Sequence, residues 1–278
     1  MIRLCLKLCL LFLALPQFAL AALPQASNVP GGVALIPLGA VAEHAQPPQA
    51  WLGEQPVLVA ADKGKWYAVV GLPLDIKTGL HTLRAKADEE TMSLAFKVKP
   101  KKYPEQHITL KDKSKVQLSP EDEARALSEI ALIKQLKLHW QPSPDTDPGF
   151  ILPAKGRLSG QFGSRRVFNG EPRAPHAGID VAARKGSKVS ASSHAKVLAV
   201  GDYFFNGKTV FLDHGNGLIT MYCHLDRIDV GENDVVQKGQ QIGLSGMTGR
   251  ATGPHLHWSV ILNGAMVNPK LFLPRQLK

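Results

Sequence analysis

Gly253-Pro-His-Leu-His-Trp-Ser-Val-Ile261 is the stretch on which the C-terminal half of the chain turns. The Gly-Pro pair marks where a strand begins, and the apolar run after it has the length and residue types of a buried strand. Strand alternation puts His255 and His257 on one face, roughly 7 Å apart along the backbone. Similar β-branched runs surround it: Lys188–Ala191, Ala195–Val200, Thr209–Leu212 and Leu218–Cys223. Asp213-His-Gly-Asn-Gly217 lies between two of them and has the composition of a hairpin turn. Residues 150–278 therefore read as a mainly antiparallel β-domain.

Upstream the pattern changes twice. Ser119-Pro-Glu-Asp122 supplies an N-cap, a proline at the first helical position and two acids for the first turn. Leu127, Ile130, Ala131, Ile133 and Leu138 then follow a mostly 3–4 spacing, which predicts one helix over 119–138. Gln141-Pro-Ser-Pro-Asp-Thr-Asp-Pro-Gly149 is too rich in Pro and Asp for regular structure, so 101–149 reads as a helix-containing linker. Residues 22–100 hold short strands between Gly, Pro and Asp turns, notably Val33–Ile36, Val57–Ala60, Trp66–Val70, Leu80–Ala85 and Ser93–Val98. That spacing predicts an immunoglobulin-like β-sandwich.

The first 21 residues carry Arg3 and Lys7, an apolar block from Leu8 to Leu20 and a small-x-small site at Ala19-Leu20-Ala21. They read as a secretory signal peptide, with a retained anchor disfavoured by the shortness of the block and by Pro16. Its removal would leave Cys223 as the one cysteine and exclude an intrachain disulfide. The formal net charge of +10 favours encounter with anionic polymers such as bacterial envelopes. Nucleic acid is a poor fit, because Lys and Arg are scattered rather than gathered with aromatics on one element. No stable membrane insertion is expected once the leader is cleaved.

Chemistry concentrates in two places. His176 and Asp180 are separated by Gly178; on a straight strand they would lie roughly 13 Å apart, so a bend at the glycine is needed to bring them to one ion. Together with a histidine from the 255/257 pair they make a nitrogen–oxygen donor set suited to tetrahedral Zn²⁺ with one coordination position left open. This composition points to a metal-dependent hydrolase. Only Glu171 and Glu232 are available as glutamates in the C-terminal domain, and neither sits in an HExxH helix, so histidine is the remaining general base near neutrality.

Ser159-Gly-Gln-Phe-Gly-Ser-Arg165, Pro175-His-Ala-Gly-Ile-Asp180, Asp213-His-Gly215, Tyr222-Cys-His-Leu225 and Gly249-Arg-Ala-Thr-Gly-Pro-His-Leu-His-Trp258 occur in this order. Across Leu152–Phe272 the chain resembles the LytM/lysostaphin-type zinc endopeptidases, which cleave peptide bonds in peptidoglycan. The resemblance implies a LytM-type peptidase domain holding one Zn²⁺ per chain through His176, Asp180 and His257. It implies catalytic roles for His224 and His255 and peptidoglycan peptides as the partner, in the periplasm, cell envelope or outside the cell. Two alternatives stand beside it: a non-catalytic binding or activator module of the same fold, and a secreted protease with a protein substrate. The bond cleaved, the division of roles between His224 and His255, the oligomeric state, any regulatory protein partner and the role of the N-terminal domain are open at this level. His214 is expected to be structural. Cys223 is expected to pack as a small apolar group on the face opposite His224, against the rival reading of a fourth zinc ligand.

Overall fold

A computed structural model describes residues 23–44, 46–108, 118–168, 170–172 and 174–275; the signal peptide expected at 1–21 lies outside the described residues. The N-terminal strands are β1 (Val33–Ala40), β2 (Gln49–Leu52), β3 (Gln55–Pro56), β4 (Leu58–Asp62), β5 (Lys65–Gly71), β6 (Gly79–Ala87) and β7 (Glu90–Val98). They form two antiparallel sheets, ordered β1-β5-β4 and β3-β2-β6-β7. Ile36, Trp66, Ala68 and Val70 from one sheet meet Ala50, Leu83, Ala85 and Phe96 from the other in a buried core. Inward-facing apolar residues alternate with exposed polar ones on β6, where Leu83 and Ala85 are buried and Arg84 and Lys86 are exposed. The sandwich expected from the turn spacing is thus present, and β2 and β3 are strands the spacing did not reveal.

The stretch expected as a linker contributes more than a helix. It contains β8 (Glu105–Ile108) and then helix α1 (Pro120–Lys137). The cap is as the sequence predicts: the Ser119 hydroxyl accepts from the Asp122 N–H at 3.1 Å, with Pro120 opening the helix. The contact face differs from the apolar spacing. Ile133 and Leu136 pack on the sheet beneath, whereas Leu127 and Ile130 are exposed. Polar anchors set this rotation: Arg125 donates to the Asp202 carbonyl at 3.0 Å, and Glu129 accepts from the Phe204 N–H at 2.6 Å. Among the described residues no helix is long and apolar enough to cross a membrane.

The remainder comprises β9 (Arg157–Gly160), β10 (Arg165–Phe168), β11 (Glu171–Pro172), β12 (Ile179–Ala182), β13 (Lys188–Ser190), β14 (Ala195–Tyr203), β15 (Gly207–Asp213), β16 (Leu218–Ile228), β17 (Val235–Val236), β18 (Gln241–Ser245), β19 (Leu256–Leu262) and β20 (Ala265–Val267). Most join one sheet, ordered β17-β14-β15-β16-β19-β12-β9, with β18 and β20 pairing beside β16 and β19. Every pairing in it is antiparallel. β8, β10 and β11 form a separate small sheet in which β8 and β10 run parallel.

Alternation gives the large sheet two different faces. Leu218, Tyr222, Trp258, Val260 and Leu262 share one core with Val33, Leu58 and Val69 of the N-terminal sandwich. That junction is also hydrogen-bonded: Asn263 accepts from the Gly71 N–H at 2.6 Å and returns a bond to the Gly71 carbonyl at 3.1 Å. The intervening residues Ile219, Met221, Cys223 and Ile261 face the other way, where α1 covers them. His255 and His257 belong to this second face, because they alternate with Leu256 and Trp258. The sandwich therefore packs behind the sheet from which the site histidines project.

Candidate metal centre

The two local motifs meet through strand pairing. β12 lies antiparallel to β19 with Asp180 opposite His257, and β19 lies antiparallel to β16 with His257 opposite Cys223. Cross-strand partners point to the same face, so one row carries the Asp180 carboxylate and the His257 imidazole side by side. His176 reaches that row because the chain bends at Gly178. A Cβ at residue 178 would sit 2.6 Å from the Ser259 hydroxyl and 2.7 Å from His257 Nε2, so only glycine allows this approach to β19.

The resulting geometry is compact. His176 Nε2 lies 3.1 Å from Asp180 Oδ1 and 3.0 Å from His257 Nδ1, and the latter two atoms are 2.9 Å apart. Among the described residues this is the one group of three or more His, Cys, Asp or Glu donors close enough to share a metal ion. Each imidazole has its remote nitrogen occupied. His176 Nδ1 donates to the Gln161 carbonyl at 3.0 Å, and His257 Nε2 pairs with the Ser259 hydroxyl at 2.9 Å. Such bonds select the tautomer that turns an unprotonated nitrogen toward the shared point. Burial pushes the Asp180 carboxyl up, but the His176 and His257 imidazoles that flank it outweigh this and hold the group well below the usual carboxylate range. The packed surroundings of His257 push its imidazole down, against the pull of Asp180. An ionised carboxylate and two imidazoles oriented toward one point fit a divalent zinc ion.

His224 and His255 stand beside this cluster, with ring centroids 4.7 Å apart; His224 is 6.1 Å from His257. The Nε2 of His255 lies 3.8 Å from Asp180 Oδ1. Both rings are held by main-chain carbonyls, His224 Nδ1 by Thr248 at 2.9 Å and His255 Nδ1 by Gly253 at 2.8 Å. Burial lowers the His224 pKa to about 4, so it is neutral near pH 7. The five residues singled out in the sequence thus share one face of the sheet.

Sequence reasoning missed what orients them. Gln161, Thr248 and Gly253 act through carbonyls, which leave no trace in residue type. Ser259 was readable in principle, since it is two residues from His257 on the same strand. One expectation is corrected. Cys223 does not lie on the face opposite His224, because His224 takes φ +61° and breaks the strand alternation. The thiol packs among Phe211, Met221 and Ile261, and burial pushes it up to about 12, which suits a small apolar side chain and not a thiolate ligand. His214 is buried and bonded at both nitrogens, in line with the structural role expected of it.

Residues 174–269 match the model of peptidase family M23, and residues 26–101 match that of the peptidase family M23 N-terminal domain. A crystal structure from Pseudomonas aeruginosa assigned to peptidase M23 superimposes with a TM-score of 0.74 at 38% identity, covering 88% of this chain and 95% of that one. The peptidoglycan DD-endopeptidase ShyA of Vibrio cholerae is 42% identical over 120 residues, 43% of this chain and 28% of that protein. The DD-carboxypeptidase/endopeptidase Mpg of Neisseria meningitidis is 40% identical over 113 residues, 41% of this chain and 26% of that protein. The chain thus spans about a quarter of the length of these curated relatives.

Proposed function

The chain belongs to peptidase family M23, and on that premise we propose that it is a zinc-dependent endopeptidase that hydrolyses peptide bonds in bacterial cell-wall peptidoglycan. The observation that carries this reading is the convergence of His176, Asp180 and His257 beside the His224–His255 pair. The names of ShyA and Mpg point to peptide crosslinks as the bond class. The basic charge of the chain and the leader expected at its start accord with work in the envelope.

In this reading His176, Asp180 and His257 hold one zinc ion, with Ser259 and the Gln161 carbonyl fixing the two imidazoles. When bound, the metal supplies Lewis acidity toward the peptide carbonyl and lowers the pKa of water. The protein's own proton chemistry falls to His224 and His255. Because each donates its Nδ1 hydrogen to a carbonyl, each presents Nε2 to the substrate side as an acceptor when neutral. One of them takes the proton of the attacking water at Nε2 and passes it to the departing amine; the other, when protonated, donates to the oxygen that gains charge in the tetrahedral state.

The test is mass spectrometry of muropeptides released from purified peptidoglycan, with and without chelator. Soluble crosslink-derived peptides are expected only from the metal-replete protein. His255→Ala is expected to retain zinc and lose turnover by roughly 10²–10⁴-fold, the scale of general acid–base catalysis. Undiminished turnover in that variant removes His255 from the mechanism. Zinc uptake with no released peptide from any wall type overturns the endopeptidase reading.

A further inference from the structure

The carbonyl that orients His176 is part of a small bonded unit. Gln161 holds the imidazole at 3.0 Å, the Gly163 N–H donates to the His176 carbonyl at 2.8 Å, and the His176 N–H donates to the Ser164 carbonyl at 2.9 Å. Residues 161–164 and His176 therefore move together. What fixes this unit lies outside the large sheet. Phe162 is fully buried, and its ring meets Tyr103 edge-on with centroids 6.2 Å apart. Gly163, at φ +83°, lies against the Tyr103 ring so closely that a Cβ would overlap it. The Arg165 N–H then donates to the Pro104 carbonyl at 2.9 Å, and β8 continues parallel to β10 from Glu105 opposite Arg165.

Tyr103 is tied at its other end to the N-terminal sandwich. Its hydroxyl donates to the Pro30 carbonyl at 2.6 Å, and the neighbouring Gly31 packs against Phe162. Direct contacts thus run from the start of the sandwich to the turn that holds a candidate ligand, one set through the Tyr103 ring and one from Gly31 to Phe162.

We propose that Tyr103 is a positioning residue for the metal centre: its ring fixes the Gln161–Ser164 turn, so that the Gln161 carbonyl holds His176 with Nε2 toward Asp180 and His257. The inference rests on the reading of His176 as a metal ligand. The segment that follows the sandwich then acts, through this ring, as a brace built into the geometry of the site. A hydrogen-bonded partner of a metal-ligating histidine commonly tunes affinity by 10–100-fold, and a ring two contacts further out acts by keeping that partner in place.

The experiment uses the full chain. Zinc affinity is measured by competition with a chromophoric chelator, and amide exchange is followed across residues 161–176, for wild type, Tyr103→Ala and Tyr103→Phe. Tyr103→Ala is expected to weaken zinc binding by about 10-fold or more and to speed exchange at Gly163, Ser164 and His176. Tyr103→Phe keeps the ring and is expected to restore affinity to within roughly threefold of wild type, which a role for the hydroxyl alone would not allow. Val70→Ala, in the sandwich core, serves as a destabilised control and should leave zinc affinity unchanged. Wild-type affinity and exchange in Tyr103→Ala, or an equal loss in Val70→Ala, overturns the proposal. Should Tyr103→Ala fail to fold, Tyr103→Leu retains bulk without the ring and is expected to weaken zinc in the same direction; unchanged affinity again overturns it. A wild-type chain that takes up no zinc refutes the metal reading itself, and exchange at 161–164 still reports whether Tyr103 braces the turn.

Discussion

Two buried histidines on one strand system, His214 at the β15–β16 turn and His224 near the far end of β16, look alike in burial and differ in use. Burial pushes both imidazoles down to about 4. At the turn, His214 Nδ1 donates to the His194 carbonyl and Nε2 pairs with the Thr220 hydroxyl, both at 2.8 Å, so both nitrogens are engaged. That network continues through Tyr222 to Ser192 and closes a polar pocket inside the core. At the far end, His224 donates once, to Thr248, and its Nε2 makes no hydrogen bond among the described residues. The lesson is that a buried histidine becomes a reactive one by leaving a nitrogen uncommitted toward a shared point. A low pKa by itself marks both.

The largest effect expected from this contrast is at the open end. Asp180→Ala removes the carboxylate between His176 and His257, and bound zinc should fall from one per chain to near zero with hydrolysis reduced by roughly 10³-fold or more. Metal content by mass spectrometry and turnover on peptidoglycan check it; retained zinc would break the comparison at its root. At the closed end the loss should appear in stability and spare the metal. His214→Ala leaves the His194 carbonyl without its imidazole partner, removes one of the two bonds of the Thr220 hydroxyl and opens space in the core, at a cost of about 2–3 kcal/mol in urea unfolding at pH 7.5.

That cost depends on pH in a defined direction. The folded pKa of His214 lies below the unfolded value, so the unfolded chain binds a proton that the folded chain refuses. His214 therefore costs the wild type up to about 3 kcal/mol of stability as pH falls from about 6.5 to 4, and the gap to His214→Ala should close over that window. A gap that stays constant from pH 7.5 to 4 would mean the imidazole titrates normally. The smallest effect is expected at Cys223, which shares the row of His257 but lies among apolar side chains. Cys223→Ala should leave zinc content unchanged and cost about 1 kcal/mol. In the native wild type the thiol should resist aromatic disulfide reagents until the chain is unfolded.

The elements that were legible in the amino-acid order share a local cause. β14, β15, β16 and β19 are long β-branched runs, and the Ser119-Pro120 cap announces α1 whatever surrounds it. β8 was hidden because Glu-Gln-His-Ile is a polar tetrapeptide whose strand character comes from its partner β10. The rotation of α1 was hidden because Arg125 and Glu129 bind main-chain groups of residues 202 and 204. The facing of Cys223 was misread because a left-handed His224 interrupts a pattern that alternation assumes.

By itself, the order of residues determined the period of each strand, the start of the helix and the inventory of imidazoles and carboxylates, since these depend on neighbours a few positions away. Only the tertiary structure decided which nitrogen of each histidine is left uncommitted, because carbonyls at Gln161, Gly253 and Thr248 make that choice. It also decided that Asp180 and His257, 77 positions apart, stand 2.9 Å from each other. Long-range strand pairing places such atoms, and no local rule of periodicity carries that distance.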